Sequence, residues 1–318
     1  VSLDLNGGHL NNSGGVINAP GRLLLSNLAG VDNTAGEISS SQAFSLAADS
    51  LNNAGAKLLS EQALTVRIAR ALDNTQGLVS ANALDLRAGS VDNRGGTLSA
   101  GDGLIAQIDG ALDNRSGKLL ARTATLTSAS LDNRQGLLQS DTALNLTSLG
   151  AIDNRQGTFS AGQRLDISAA SLDNGGGKLV SDGQLTARIA AQLLNRAGLF
   201  SAGTFLQVSA ASLDNSATGN LNAKGQLAVT LSGALNNDTG TLSSDASLNL
   251  KAGQVANSNG GRISSQLQLT ASVSGLDQHN GGGLYSQSGV SLDLNHGHLN
   301  NQGGLIHAPG APLLCKRP

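Results

Sequence analysis

The sequence predicts an all-β chain wound as a parallel β-helix, with about 15 coils of roughly 20 residues each. Three observations predict it. An apolar residue, then Asp or Asn, then Asn recurs along the whole chain. A Gly stands three residues after that Asn in 13 of 15 repeats, the exceptions being Ala56 and Thr218. Between these points apolar residues alternate with period two, as in Leu84/Leu86, Leu144/Leu146, Leu165/Ile167 and Leu248/Leu250. Composition agrees: the 42 Gly are about double ordinary usage, while aromatics at 2% and charged residues at 13% leave a thin aliphatic core rather than one thick one.

Taken in order, a unit begins at its Asn. The column reads Asn12, Asn33, Asn53, Asn74, Asn93, Asn114, Asn133, Asn154, Asn174, Asn195, Asn215, Asn237, Asn257, then Gln278, then Asn301. From 12 to 301 is 289 residues over 14 steps, about 20.6 each, and long and short steps mostly alternate. The Gly marks a turn; the turn glycines of the central coils are Gly77, Gly96, Gly117, Gly136, Gly157, Gly177 and Gly198. Two residues further on comes an inward apolar position, such as Leu98, Leu119 or Phe159, in a short strand. A second turn and a longer alternating strand lead to the next apolar-Asp-Asn. Where neighbouring units differ by two residues, the period-two alternation is expected to keep the same face inward. A leucine-rich repeat would place its Asn three residues after an L-x-L pair, whereas Leu86 to Asn93 is seven.

Each column has a chemical reason. Identical residues stack one coil apart, so an inward Asn is expected to hydrogen-bond by its amide to the next Asn, forming a ladder that satisfies buried polar groups. The Gly answers either a positive φ or a close backbone approach. The Asp before the Asn (Asp32, Asp73, Asp92, Asp113, Asp132, Asp153, Asp173, Asp214) stacks like charges; Arg94, Arg115, Arg134, Arg155 and Arg196, each one residue after the Asn, are expected to compensate them at the surface. Leu194 and Ala256 break the Asp column, and the coils near 216–222 and 258–285 are irregular.

Several functions are disfavoured. A net charge of -2 gives no basic field for nucleic acid or anionic membrane. No run approaches 18 apolar residues, and the N-terminus has no basic segment followed by an apolar run, so neither a membrane span nor a signal peptide is expected. Met is absent, and the chain is read as an internal stretch of a longer protein. Cys315, the single cysteine, makes no intramolecular disulfide. Catalysis is not expected: unit lengths leave no long loops for a cleft, the carboxylates recur in every coil, and Phe44, Phe159, Phe200, Phe205 and Tyr285 are scattered. His296 and His298 share a strand face but lack a third ligand, so no metal and no cofactor are expected. The runs Gly175–Gly177 and Gly281–Gly283 are not followed by Lys-Ser/Thr and read as turns, not phosphate loops.

The units VDNRGGTLSA at 91–100, LDNRSGKLLA at 112–121 and LDNRQGLLQS at 131–140 closely resemble filamentous haemagglutinin repeats, and the resemblance covers essentially 1–310. It implies a right-handed β-helix within a large two-partner secretion exoprotein, a haemagglutinin-like adhesin or a contact-dependent growth inhibition effector. Such a chain is exported through an outer-membrane transporter and displayed on a Gram-negative cell. Its distal binding or toxin parts then meet host or neighbouring cells, with the coils as shaft; the alternative is direct adhesion to glycans or receptors through exposed coil faces. The expected organisation is one continuous array over 1–310 and an irregular tail over 311–318. A longer duplication also appears: residues 1–25 match 290–314 at 19 of 25 positions, offset by 289.

Overall fold

The computed structural model describes residues 1–310; of the last eight residues it describes only the backbone strand Leu314–Cys315, so the Cys315 thiol and the expected irregular tail lie outside the described residues. Every regular element among the described residues is a β-strand. By its contacts the chain divides into two compact units, Val1–Asp153 with Gly157–Ala161, and Asn154–Gln156 with Gly162–Pro318. Each is a parallel β-solenoid, and the two together hold about 15 turns spaced about 21 residues apart.

In the first unit a coil is typified by the turn 93–96, the strand Thr97–Ile108 and the short strand Ala111–Asp113. The long strand covers two faces, because a bulge between Ala100 and Gly103 bends it at the corner. All pairings are parallel and stack equivalent positions: Leu98 on Leu119, Leu112 on Leu131, Asp113 on Asp132. In the second unit the same faces are separate strands, Lys178–Ser181, Gln184–Ile189 and Gln192–Leu194, and again Leu179 meets Phe200 and Leu185 meets Leu206.

Alternation decides what is inside. Leu84, Leu86, Leu98, Leu104 and Leu112 in the first unit, and Leu165, Ile167, Leu179, Leu185 and Leu193 in the second, are all buried. Each buried aliphatic side chain stabilises the fold by about 1.5–3 kcal/mol relative to exposure. Phe159 and Phe200 occupy the Leu position after the turn and are fully buried, which removes them from any surface platform.

The phase of long and short coils is kept differently from the sequence expectation. Leu64 pairs with Leu84 and Leu72 with Val91, so the coil of Asn53 carries one extra residue before Leu64 and another before Leu72. The two extra residues sit singly at two corners, not together in one strand. Irregular corner backbone absorbs each one, and no strand slips.

The Thr218 exception also resolves. The turn after Asn215 is one residue longer, and Gly219 takes the place that Gly198 holds after Asn195, donating its amide to Ser216 O at 3.1 Å. The turns after Asn257 and Gln278 are lengthened in the same way, so Gly261 and Gly282 stand where Gly260 and Gly281 were expected.

Because the core is one side chain deep, each position has few neighbours able to collapse into a void. Phe200→Ala is expected to cost about 3–5 kcal/mol, read as a lowered denaturant midpoint in equilibrium unfolding. A change below about 1 kcal/mol would contradict the tightly packed core.

Candidate functional site: the asparagine turn and its charged rim

The Asn side chains form hydrogen-bonded ladders. In the first unit Nδ2 of Asn12, Asn33, Asn53, Asn74, Asn93 and Asn114 each donates to Oδ1 of the next Asn, ending at Asn133, at 2.6–2.8 Å. In the second, Asn154, Asn174, Asn195, Asn215 and Asn237 donate in turn, ending at Asn257, at 2.7–2.8 Å. From Asn33 to Asn257 these residues are fully buried. The second amide hydrogen serves carbonyls: Asn93 Nδ2 lies 3.3 Å from Gly96 O in its own turn and 3.3 Å from Lys118 O in the next coil. The asparagine therefore ties turn, neighbouring turn and following strand together. Gln278 continues the column but not the chain of bonds: Asn257 Nδ2 donates to Gly283 O at 3.2 Å, while Gln278 Nε2 donates to Asn301 Oδ1 at 2.5 Å.

The turn glycine is selected by close approach. A Cβ on Gly117 would collide with the Asn93 carbonyl oxygen and come within 2.6 Å of Asn114 Oδ1; Gly96 is equally confined, by Asn74 O and Asn93 Oδ1. Positive φ belongs to the residue before it: Gln76 (55°), Ser116 (55°), Gln135 (58°), Ala197 (53°) and Thr239 (60°) are non-Gly, while Gly14, Gly55, Gly95 and Gly176 occupy the same place in other coils. At Ala56, where the Gly is replaced, the turn bond from its amide to Asn53 O lengthens to 3.2 Å, against 2.8 Å at Gly36 and 3.0 Å at Gly77.

This turn, repeated coil after coil, meets a match to the haemagglutinin repeat over residues 1–67, 63–116, 107–156, 152–213, 206–272 and 247–311. The chain belongs to the haemagglutinin repeat family. No curated protein and no solved structure matches it.

Within these haemagglutinin repeats the Asp before the Asn has a role that the sequence reading missed. Its Oδ1 accepts the backbone amide two residues on, capping the turn: Asp73 from Thr75 at 2.8 Å, Asp113 from Arg115 at 3.1 Å, Asp173 from Gly175 at 2.9 Å. Asn52 does the same for Ala54 at 3.1 Å and Asn236 for Asp238 at 3.1 Å. The signal was the interchange of Asp with Asn, which share only the Oδ1 acceptor. Where Ala256 offers no acceptor, Asp238 of the preceding coil accepts Ser258 N at 2.7 Å. A second missed column closes each short strand, where Ala and Ser interchange. Buried Ser244 Oγ lies 2.6 Å from Gly225 O and 3.0 Å from Ser247 O, and accepts Ala246 N at 3.1 Å, knitting the second corner to the coil before.

The acidic stripe of the repeats is compensated in two ways. Arg94 grips Asp92 with Nε at 2.9 Å and Nη2 at 2.6 Å, and its Nε also lies 3.8 Å from Asp113. Arg115 links Asp113 to Asp132 and Arg134 links Asp132 to Asp153, giving an alternating row of charge. Elsewhere the column dilutes itself: Asn11, Asp32, Asn52 and Asp73 are successive register partners, and in the second unit Asp173 pairs with Leu194, Asp214 with Leu194 and Asn236, and Asp277 with Ala256 and Asn300. Hydrogen bonding from Arg94 holds the Asp92 carboxyl below the usual range. Partial burial pushes Asp132 up, but hydrogen bonds from Arg134 and the charges of Arg134 and Arg115 bring it below that range.

His296, in a turn rather than on the expected strand face, and His298 stand apart from this order. His296 and His298 are exposed, and among the described residues no group of three or more His, Cys, Asp or Glu gathers to hold a metal. No helix among the described residues is long and apolar enough to cross a membrane.

Two adjacent substitutions separate the glycine's alternatives. Ser116→Gly is expected to stabilise by about 1 kcal/mol by relieving a left-handed non-Gly residue, whereas Gly117→Ala forces a buried clash and is expected to lower the melting temperature. Opposite signs in thermal unfolding check this. The carboxylates give a pH sign: with folded-state pKa values depressed, their stabilisation is present above the ordinary Asp value of about 3.9 and is lost as pH falls below it. Stability is therefore expected to be flat from neutral pH to about 5 and to fall below about 4, each exposed pair contributing at most about 1 kcal/mol. A titration of melting temperature that rose on acidification would overturn it.

Proposed function

We propose that these repeats are the shaft of a large exoprotein displayed on the surface of the producing cell, holding distal binding or toxin parts away from it. Membership of the haemagglutinin repeat family supports an adhesin-type role. The observation that carries the reading is where the regular side chains point their chemistry. The Asn amide, the turn Gly and the Arg act on the coil above or below, the capping Asp acts on its own turn, and in the central coils Arg and Asp charges alternate along the column. A surface built this way propagates itself and needs no ligand. Export as an unfolded chain through an outer-membrane two-partner transporter fits it, since each coil offers a template for the next.

A second reading, adhesion through an exposed coil face, is favoured at one place. The Arg262 guanidinium lies over the Tyr285 ring, 4.2 Å from its centroid, with no carboxylate partner among the described residues. A cation held on a ring without a counter-charge is suited to an anionic group.

Excising residues 94–133 joins Asn93 to Arg134 with the turn sequence intact, and is expected to leave a cooperatively unfolding solenoid two coils shorter. Labelled protein is expected to show no saturable binding to bacterial or epithelial cells at physiological or raised salt. Saturable binding abolished by Arg262→Ala would replace the shaft reading with the adhesive one.

A further inference from the structure

The second unit contains one joint unlike the rest. Between the turns at 257 and 278 the amide ladder is interrupted. Gln278 is fully buried, yet its Oε1 has no hydrogen-bond donor among the described residues; Asn257 Nδ2 keeps the bond to the following strand, at Gly283 O, that Asn215 and Asn237 also make, but not the ladder bond. An acceptor left unpaired in the core is unfavourable, and this one stands where other joints carry a bond of 2.7–2.8 Å.

The side chain, not the lengthened turn, is responsible. The turns after Asn215 and Asn257 also carry an extra residue, and both asparagines still accept the ladder bond at 2.7 Å. Gln differs by one methylene, which moves its carboxamide out of the plane that Asn257 addresses. Across the joint the strand and turn backbones still pair, Asn257 Nδ2 and Ser286 Oγ still reach carbonyls of the neighbouring coil, and a partly buried clasp closes the rim. Ser258 Oγ lies 3.0 Å from His279 Nδ1, and His279 Nδ1 lies 2.6 Å from Asp277 Oδ1, which also accepts Asn300 Nδ2 at 3.1 Å. These partly buried contacts lie at the rim and do not reach Gln278 Oε1, so its acceptor stays bare. Beyond the joint the segment is held together internally, because Gln278 Nε2 reaches Asn301 Oδ1.

We propose that this joint is the opening point of the second unit: residues from Gln278 to 310 detach from the stack as one segment while 154–277 stay paired. Opening bares the unpaired edges of Arg262–Ser265, Gln268–Ser272 and Gly275–Asp277, on which another strand can pair.

The duplication supplies an internal control. Residues 290–310 and 1–21 are nearly the same sequence, with the same bulge: Asn6 and Gly7 have φ of 49° and 83°, and Asn295 and His296 have 48° and 67°. The coil at 1–21 is joined onward by an intact bond, Asn12 to Asn33. Hydrogen exchange read by mass spectrometry on the whole chain is expected to show peptides from 283–307 exchanging together, at least tenfold faster than those from 241–273 and faster than the equivalent amides in 1–21. Gln278→Asn, which offers Asn257 the missing acceptor, is expected to slow exchange in 283–307 several-fold and leave 1–21 unchanged. Equal exchange in the two duplicated coils would identify simple fraying of a terminal coil and overturn the proposal. So would 283–307 rates unmoved in a folded Gln278→Asn variant.

Discussion

A primary amide sealed inside a β-solenoid has to be satisfied in every coil, and much else in this chain follows from how that is done. The Asn carboxamide offers two donors and one acceptor oxygen, and in a typical coil all are placed among the neighbouring Asn, the turn and the next strand. That demand disfavours a Cβ at the glycine, whose space the Asn carbonyls occupy, and it is met even where the turn gains a residue after Asn215 or Asn257. It also sets the coil-to-coil register, since an amide displaced by one residue would face an aliphatic layer. Packing supplies most of the stabilisation, but the leucine columns tolerate exchange of Leu for Val, Ile or Phe, and the Asn column tolerates almost nothing. The one replacement among the inner coils, Gln278, leaves an acceptor bare.

The surface obeys a second constraint set by the same stacking. A coil repeat places any exposed residue directly above its counterpart, so a charge used once is used again about 4.8 Å away. The Asp that caps the turn is useful locally and unfavourable in a column. Alternation with Asn and intercalation of Arg are two solutions to that conflict, and both leave the capping Oδ1 in place. Asp238, serving Ser258 across coils, shows that the acceptor matters more than the residue that bears it.

Most of the architecture was legible because it is periodic. The Asn column, the aliphatic faces and the Asp–Arg compensation could be read from spacing alone, since each repeats often enough to stand out from chance. What was not legible lies at corners. Extra residues in the coil of Asn53 are split between two corners, and no pattern of period two reveals where a bulge sits. The positive φ at Ser116 and Gln135 was hidden because the neighbouring, invariant-looking glycine drew the eye, although it serves a steric need instead. The Ala/Ser column was overlooked because the two residues look like filler; only the hydroxyl contacts of Ser60 and Ser244 show that the position faces carbonyls of the second turn. The Gln278 joint could be seen as a substitution, but its consequence depends on where one extra methylene carries an oxygen.

The ladders have a direction. In the run from Asn12 to Asn133 each amide nitrogen as far as Asn114 donates toward the following coil, and each oxygen from Asn33 onward accepts from the preceding one. Aligned amide dipoles, each about 3.5 D in a peptide unit, add head to tail in an α-helix, and a file of side-chain amides sums in the same way. Such a file polarises its own members, each bond strengthening the next. Each ladder thus carries an electric axis made of side chains, negative at its first asparagine and positive at its last, in a fold whose strands contribute little net dipole of their own.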